Sequence, residues 1–181
     1  MINFHKNIDI DVDQRLKSST FQIACKKGCS KCCHNVFLCV SENEINSIVR
    51  SMNSLNFKIR KKIAKVISEI DKKWISKGTV TLNTIDDFNK YLIQQQKLNS
   101  YTCPLLLNNQ CSIYQDRPAV CRIYHSSNES LCENLNADMN YIDIYKKYVQ
   151  ISENESGKSI MPSPLFRNID FKDNKFISIW K

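Results

Sequence analysis

Four cysteines fall within nine residues, Cys25-Lys-Lys-Gly-Cys29-Ser-Lys-Cys32-Cys33, and nothing else in the chain constrains its fold so sharply. Thiolate is both a metal ligand and a nucleophile, so a run this dense points to metal coordination or redox chemistry. Cys29 and Cys32 form a C-x2-C pair, the spacing that lets a tight turn aim two sulfurs at one ion, and Gly28 frees the backbone just before it. Cys25 adds a third sulfur within reach. Neighbouring side chains diverge, so Cys32 and Cys33 do not sit easily as two ligands of one tetrahedral ion, and one of them serves a second metal or none.

A second group begins after 69 intervening residues: Cys103-Pro104, Cys111, Cys121-Arg122 and Cys132, separated by seven, nine and ten residues. These intervals are too irregular for a zinc ribbon. Two groups that meet in space would make the metal close a long loop over the intervening chain, so metal binding should contribute to folding itself. Cys39, inside Val36-Phe37-Leu38-Cys39-Val40, reads instead as a buried free cysteine, a small hydrophobe among apolar neighbours. Nine cysteines in 181 residues is an odd count and too sparse for a small secreted disulfide scaffold, which favours reduced thiols in the cytoplasm.

The formal charge of +8 would ordinarily suggest an acidic partner. If seven or eight thiolates coordinate cations, the loaded protein carries only about +2 to +4. Aromatic residues do not interleave with the lysines in a binding motif, so the balance argues against nucleic acid. Asp9, Asp11 and Asp13 interrupt any leader-like apolar stretch, and no run reaches membrane-spanning length.

The length suits one domain spanning 1–181 with its own core. Its class is mainly α, a small helical domain stapled by a cysteine-rich metal centre. Ser41-Glu42-Asn43-Glu44 is a capping box, followed by Ile45, Ile48, Val49 and Met52 at helical spacing. Leu55, Ile59, Ile63, Val66, Ile67, Ile70 and Trp74 predict an amphipathic helix that stops by Gly78, its lysines forming a solvated face. Phe88, Tyr91, Leu92 and Leu98 predict a third helix after Asp86 and Asp87, and Met139, Ile142, Tyr145, Tyr148 and Val149 a fourth. Near the end, Ile169-Asp-Phe171 and Phe176-Ile-Ser-Ile-Trp180 flank Asp173-Asn174 as a short hairpin.

The two cysteine groups together resemble the CxxCxxCC, or YkgJ-type, cysteine-cluster family, thought to chelate zinc or iron. The second group carries the more specific match: Cys103-Pro104, then Cys111-Ser-Ile113-Tyr114, then Arg117-Pro118 and Cys121-Arg122 is similar to the family's C-P and C-x-I-Y-x-x-R-P-x-x-C-R signature. The resemblance spans roughly residues 21 to 126, with Cys25 and Cys29 one residue further apart than is common there and Cys132 outside the signature. It implies Cys25, Cys29, Cys32, Cys33, Cys103, Cys111 and Cys121 as metal ligands for zinc, iron or an iron-sulfur cluster. Some longer relatives resemble flagellin lysine N-methylases, which implies a methyl-transfer alternative with S-adenosylmethionine and a protein substrate. No glycine-rich loop after a strand supports that cofactor here.

Around the thiols, Arg117 and Arg122 flank Cys121 and either donate hydrogen bonds to thiolates or make ordinary ion pairs. Pro118 fixes a turn, and Tyr114 packs over the site or meets a ligand. His34 and His125 are candidate nitrogen ligands, and Cys132 a further sulfur. Three classes remain open: a metal-binding protein, a methylase-like enzyme, and an interaction or nucleic-acid module held together by structural zinc.

Overall fold

The computed structural model describes residues 2–20, 23–26, 28–34, 39–74, 94, 97–99, 101–127, 139–140, 147–148, 163–164 and 169–178. They are mostly helical. Helix α1, Ile2–Ser18, turns Ile8 and Val12 into the protein and half-buries Leu16, a spacing of four that stacks them on one face. Its face packs against Ala119, Ile123 and Tyr148. The sequence predicts no helix there, because Ile8-Asp9-Ile10-Asp11-Val12-Asp13 alternates with the period of a strand and masks the helical spacing.

Helix α2, Glu42–Ser54, begins at the predicted capping box: the Ser41 hydroxyl accepts from the Glu44 N–H, and the Glu44 carboxylate accepts from the Ser41 N–H at 2.9 Å. It buries Ile45, Ile48 and Met52. Helix α3, Phe57–Lys73, is capped by the Asn56 side chain, which accepts from Ile59 N–H at 3.0 Å, and it buries Ile63 and Ile67. Lys58, Lys61, Lys62 and Lys65 lie exposed on the far side. The helix ends at Lys73 with Trp74 as its C-cap, while the predicted stop at Gly78 lies outside the described residues.

Of the predicted third helix, residues 94 and 97–99 are helical and the rest lies outside the described residues. The fourth is corrected at its start. Met139–Asn140 is extended and pairs antiparallel with Tyr124–His125, an arrangement that satisfies backbone groups a helix start would leave open. Residues 147 and 148 are helical; the others of that segment lie outside.

Among the described residues the strands form four two-stranded antiparallel ladders. In chain order they are β1 (Cys39–Val40), β2 (Leu106–Leu107), β3 (Gln110–Cys111), β4 (Tyr124–His125), β5 (Met139–Asn140), β6 (Ser163–Pro164), β7 (Ile169–Lys172) and β8 (Lys175–Ser178). β1 pairs with β6. The predicted C-terminal hairpin is present as β7–β8, turning through Asp173 and Asn174 at φ +50° and +61°, the left-handed pair a two-residue hairpin loop requires. Phe171 faces Phe176 across it with ring centroids 4.7 Å apart.

The Asn53 side chain docks this hairpin on α2 by two bonds of 2.8 Å, accepting from Phe176 N–H and donating to its carbonyl. One core therefore joins Val40, Ile45, Ile48, Met52, Ile63 and Ile67 to Ile169 and Phe176, and Cys103 lies within it. No helix among the described residues is long and apolar enough to cross a membrane.

Candidate metal centre

The first cysteine segment is a chain of tight turns. Gly28 adopts φ +86°, where a side chain would be strained, and the turn closes by Cys29 N–H to the Lys26 carbonyl at 3.0 Å. A short 3-10 turn, Lys31–Cys33, follows and leaves Cys32 and Cys33 half-buried. The Cys33 carbonyl accepts from Cys103 N–H at 2.8 Å. That backbone bond ties the two cysteine groups together directly.

The second segment folds back on itself three times. Leu106 N–H bonds the Cys103 carbonyl at 2.9 Å, and β2–β3 then turn through Asn108 and Asn109 at φ +50° and +60°. Asparagine tolerates the left-handed region, so Asn-Asn does the work here that Asn-Gly does elsewhere. The register sets Cys111 opposite Leu106, and Ser112 N–H to the Leu105 carbonyl at 2.8 Å closes the loop, returning Cys111 toward Cys103. A 3-10 turn at Tyr114–Asp116 and buried Pro118 lead into a short helix, α4 (Ala119–Ile123), with Cys121 N–H on the Pro118 carbonyl at 3.0 Å.

The result is a thiol cluster at the edge of the core. Cys103 is buried in it, with Cys33, Cys111 and Cys121 packed against it. Burial pushes the Cys103 thiol up to about 12, and the neighbouring Cys111 and Cys32 add to the rise. Burial likewise raises Cys121 well above the usual thiol range, aided by Cys103, Cys32 and Cys111. Cys111 is raised by burial and by Cys32. Cys32 is raised first by its hydrogen bond with Cys33, then by burial. Neighbouring thiols thus oppose ionisation across the group, Cys33 acting on Cys32, Cys32 on Cys111, and both Cys32 and Cys111 on Cys103 and Cys121.

Among the described residues no three His, Cys, Asp or Glu side chains converge closely enough to enclose an ion. The thiols are neighbours rather than a formed coordination sphere. Their chemistry nevertheless fits a soft cation, whose charge turns mutual repulsion of thiolates into attraction.

A polar scaffold carries the cysteine-bearing loop. Glu44, 5% exposed, serves two helices: besides closing the α2 capping box it accepts from Ala119 N–H at 2.6 Å, the first amide of α4. Burial raises its carboxyl against the lowering effect of these bonds. Arg122, 4% exposed, donates to the carbonyls of Arg117 and Gln115 and pairs with Asp9 of α1 at 2.6 Å. Each of its three nitrogens donates to the scaffold, and its charge also lowers the raised Cys111 thiol. Arg117 lies differently: its guanidinium stacks on the Tyr114 ring at 4.2 Å, and its charge lowers the raised thiols of Cys32, Cys111 and Cys121.

The other candidates are placed as follows. The Cys25 sulfur accepts from Ser126 N–H at 3.3 Å, beside the Ala24 N–H bond to the Ser126 carbonyl at 2.9 Å, and Cys29 is half-buried. His34 is exposed, with Nδ1 3.4 Å from the Thr102 hydroxyl. His125 is half-buried in β4, and burial depresses its basicity. Cys132 lies outside the described residues, and for Cys39 only its backbone pairing is described. Glu44 and Asp9 have no site signature in the sequence. The capping box reveals one partner of Glu44, and the second is 75 residues away.

No curated protein and no solved structure matches the chain. A family model described as "Putative zinc- or iron-chelating domain" matches residues 24–150, which takes in every cysteine of both groups. That match covers well over half of the sequence and falls on the segments that build the thiol cluster, so the chain belongs to the CxxCxxCC family of metal-chelating domains.

Proposed function

We propose that this protein binds zinc or iron through Cys32, Cys103, Cys111 and Cys121. One observation carries the reading: thiols from segments far apart in sequence come together at the edge of the core, Cys103 buried within it and Cys111 and Cys121 packed against it, with Cys32 near enough to raise all three. Four thiolates at the edge of a core are stable together only around a cation, and such a set suits either tetrahedral zinc or a four-iron cluster. Binding would expel the thiol protons, so the free energy of metal capture becomes free energy of folding.

Within this assignment Cys33 is the supporting member of the adjacent pair, supplying a carbonyl to Cys103 and a hydrogen-bond partner to Cys32. Cys25 and Cys29 are then candidates for a second ion. A site of reduced thiols suits the cytoplasm. The C-terminal hairpin packs into the same core as Cys103, which supports reading 1–181 as one domain.

The test is elemental analysis with an absorption spectrum on protein purified without oxygen. The expected result is stoichiometric zinc or iron, lost in Cys103→Ser and Cys121→Ser, with broad absorption near about 400 nm if the metal is an iron-sulfur cluster. Protein that folds stably and holds no metal would overturn the reading.

A further inference from the structure

Helix α3 carries its charge in a pattern that works against its own stability. Lys58, Lys61, Lys62 and Lys65 crowd its first three turns, and no carboxylate occurs on it before Glu69. The amino-terminal end of a helix favours anions, because its dipole is positive there, and lysines three or four positions apart repel one another. Among the described residues no carboxylate pairs with any of the four, and all of them are exposed. Their placement therefore calls for an anion from outside the helix. The spacing narrows its shape. Lys58, Lys61, Lys65, Ser68 and Lys72 follow one another by three, four, three and four residues, all of them exposed. At about 100° and 1.5 Å per residue this period keeps them on one ridge about 21 Å long, facing away from buried Ile63 and Ile67.

We propose that this lysine ridge docks an acidic amphipathic helix of a partner protein, whose Asp or Glu side chains repeat at the same alternation of three and four. A helix lying alongside meets each lysine of the row with residues of the same period, as neighbouring helices in a coiled coil do. Other anionic surfaces fit less well. Insertion into a membrane needs a free apolar face, and that of α3 is spent in the core, where Ile63 and Ile67 are buried. Nucleic acid is held by guanidinium forks and stacked on aromatic rings. Here the Arg60 guanidinium donates to the Asn53 carbonyl at 3.2 Å, and the Lys61 ammonium lies over the Phe57 ring at 4.6 Å. A second copy of α3 would set lysine against lysine. The ridge holds none of the cysteines, so this role is independent of metal binding.

The test follows the fluorescence anisotropy of a dye-labelled, alanine-rich helical peptide carrying glutamates at the proposed spacing, titrated with the full-length protein at about 0.1 M salt. The reference peptide has the same composition with its glutamates spread around the helix, and the spaced peptide should bind several-fold tighter. Exposed charge pairs are each worth a few-fold at most, so Lys58→Gln, Lys61→Gln and Lys65→Gln together should weaken binding about tenfold, and salt of about 1 M should do the same. The triple change Lys6→Gln, Lys172→Gln and Lys175→Gln removes equal charge from exposed positions off the ridge and should leave affinity within about twofold. Charge reversal by Lys58→Glu, Lys61→Glu and Lys65→Glu should reject the acidic peptide and take up one with lysines at the same spacing, which shows that the ridge is still folded. Equal affinity for the two acidic peptides, or no binding of either, would overturn the proposal, as would an equal loss in the off-ridge variant. Tighter binding of a single-stranded oligonucleotide or of phosphatidylserine vesicles would also overturn it and assign the ridge to phosphate.

Discussion

Replacing Glu44 by alanine tests whether one carboxylate joins helix α2 to the cysteine-bearing loop. Loss of a capping box alone costs about 1 kcal/mol. Here the change also strips an acceptor from Ala119 N–H, bonded at 2.6 Å in a residue only 2% exposed, and from buried Ser41 N–H. Two buried amides without partners cost about 1–3 kcal/mol each, and the unfavourable burial of the carboxylate returns part of that. The expected net loss is therefore about 2–4 kcal/mol. Glu44→Gln keeps one carbonyl acceptor but turns an amide donor toward N–H groups, so it should lose about half as much. Urea unfolding of the metal-free protein measures both, with Ser41→Ala as the capping-box reference. A Glu44→Ala loss no larger than that of Ser41→Ala would refute the bridging role. If the bridge is real, the variant should also bind zinc less tightly, because α4, which carries Cys121, loses the acceptor of its first amide.

Arg122→Met should destabilise the chain by about 2–3 kcal/mol, since two carbonyls lose their donor and Asp9 its partner; the exposure of Asp9 keeps the cost below that of a fully buried pair. Urea denaturation checks it, and an effect under about 0.5 kcal/mol would be inconsistent with those bonds. Acid sensitivity should arise in part from His5, whose basicity is pushed down to about 4 by burial and then by the charge of Arg122. The unfolded chain binds that proton below pH of about 6.5 and the folded chain only near 4, so stability is full above 6.5 and declines as pH falls through that window. The loss from this group is at most about 3 kcal/mol, and His5→Gln should flatten the urea midpoint between those pH values. An unchanged slope would exclude His5 as the source.

Much of the local structure was legible because it rests on short-range rules. Ser41 with Glu44 announced the start of α2, the apolar spacing from Ile59 to Ile67 announced α3, and Asp173-Asn174 between β-prone runs announced the hairpin. Thiol spacing and the segment from Cys103 to Arg122 likewise point to metal chelation from the sequence alone. Other elements were hidden by competing local signals. The alternation of Ile8 to Asp13 disguised α1 until Ala119, Ile123 and Tyr148 covered one of its faces, and pairing with Tyr124–His125 drew Met139 out of its helical pattern.

By itself, then, the sequence determined the capped helices, the hairpin turn and the kind of chemistry, all set by neighbours within a few positions. Only the tertiary structure decided how the two cysteine segments are tied together and which side chains hold the second one in place. Those outcomes depend on contacts between distant segments, Cys33 to Cys103, Glu44 to Ala119 and Arg122 to Asp9, and no local pattern encodes which distant groups a fold will bring together.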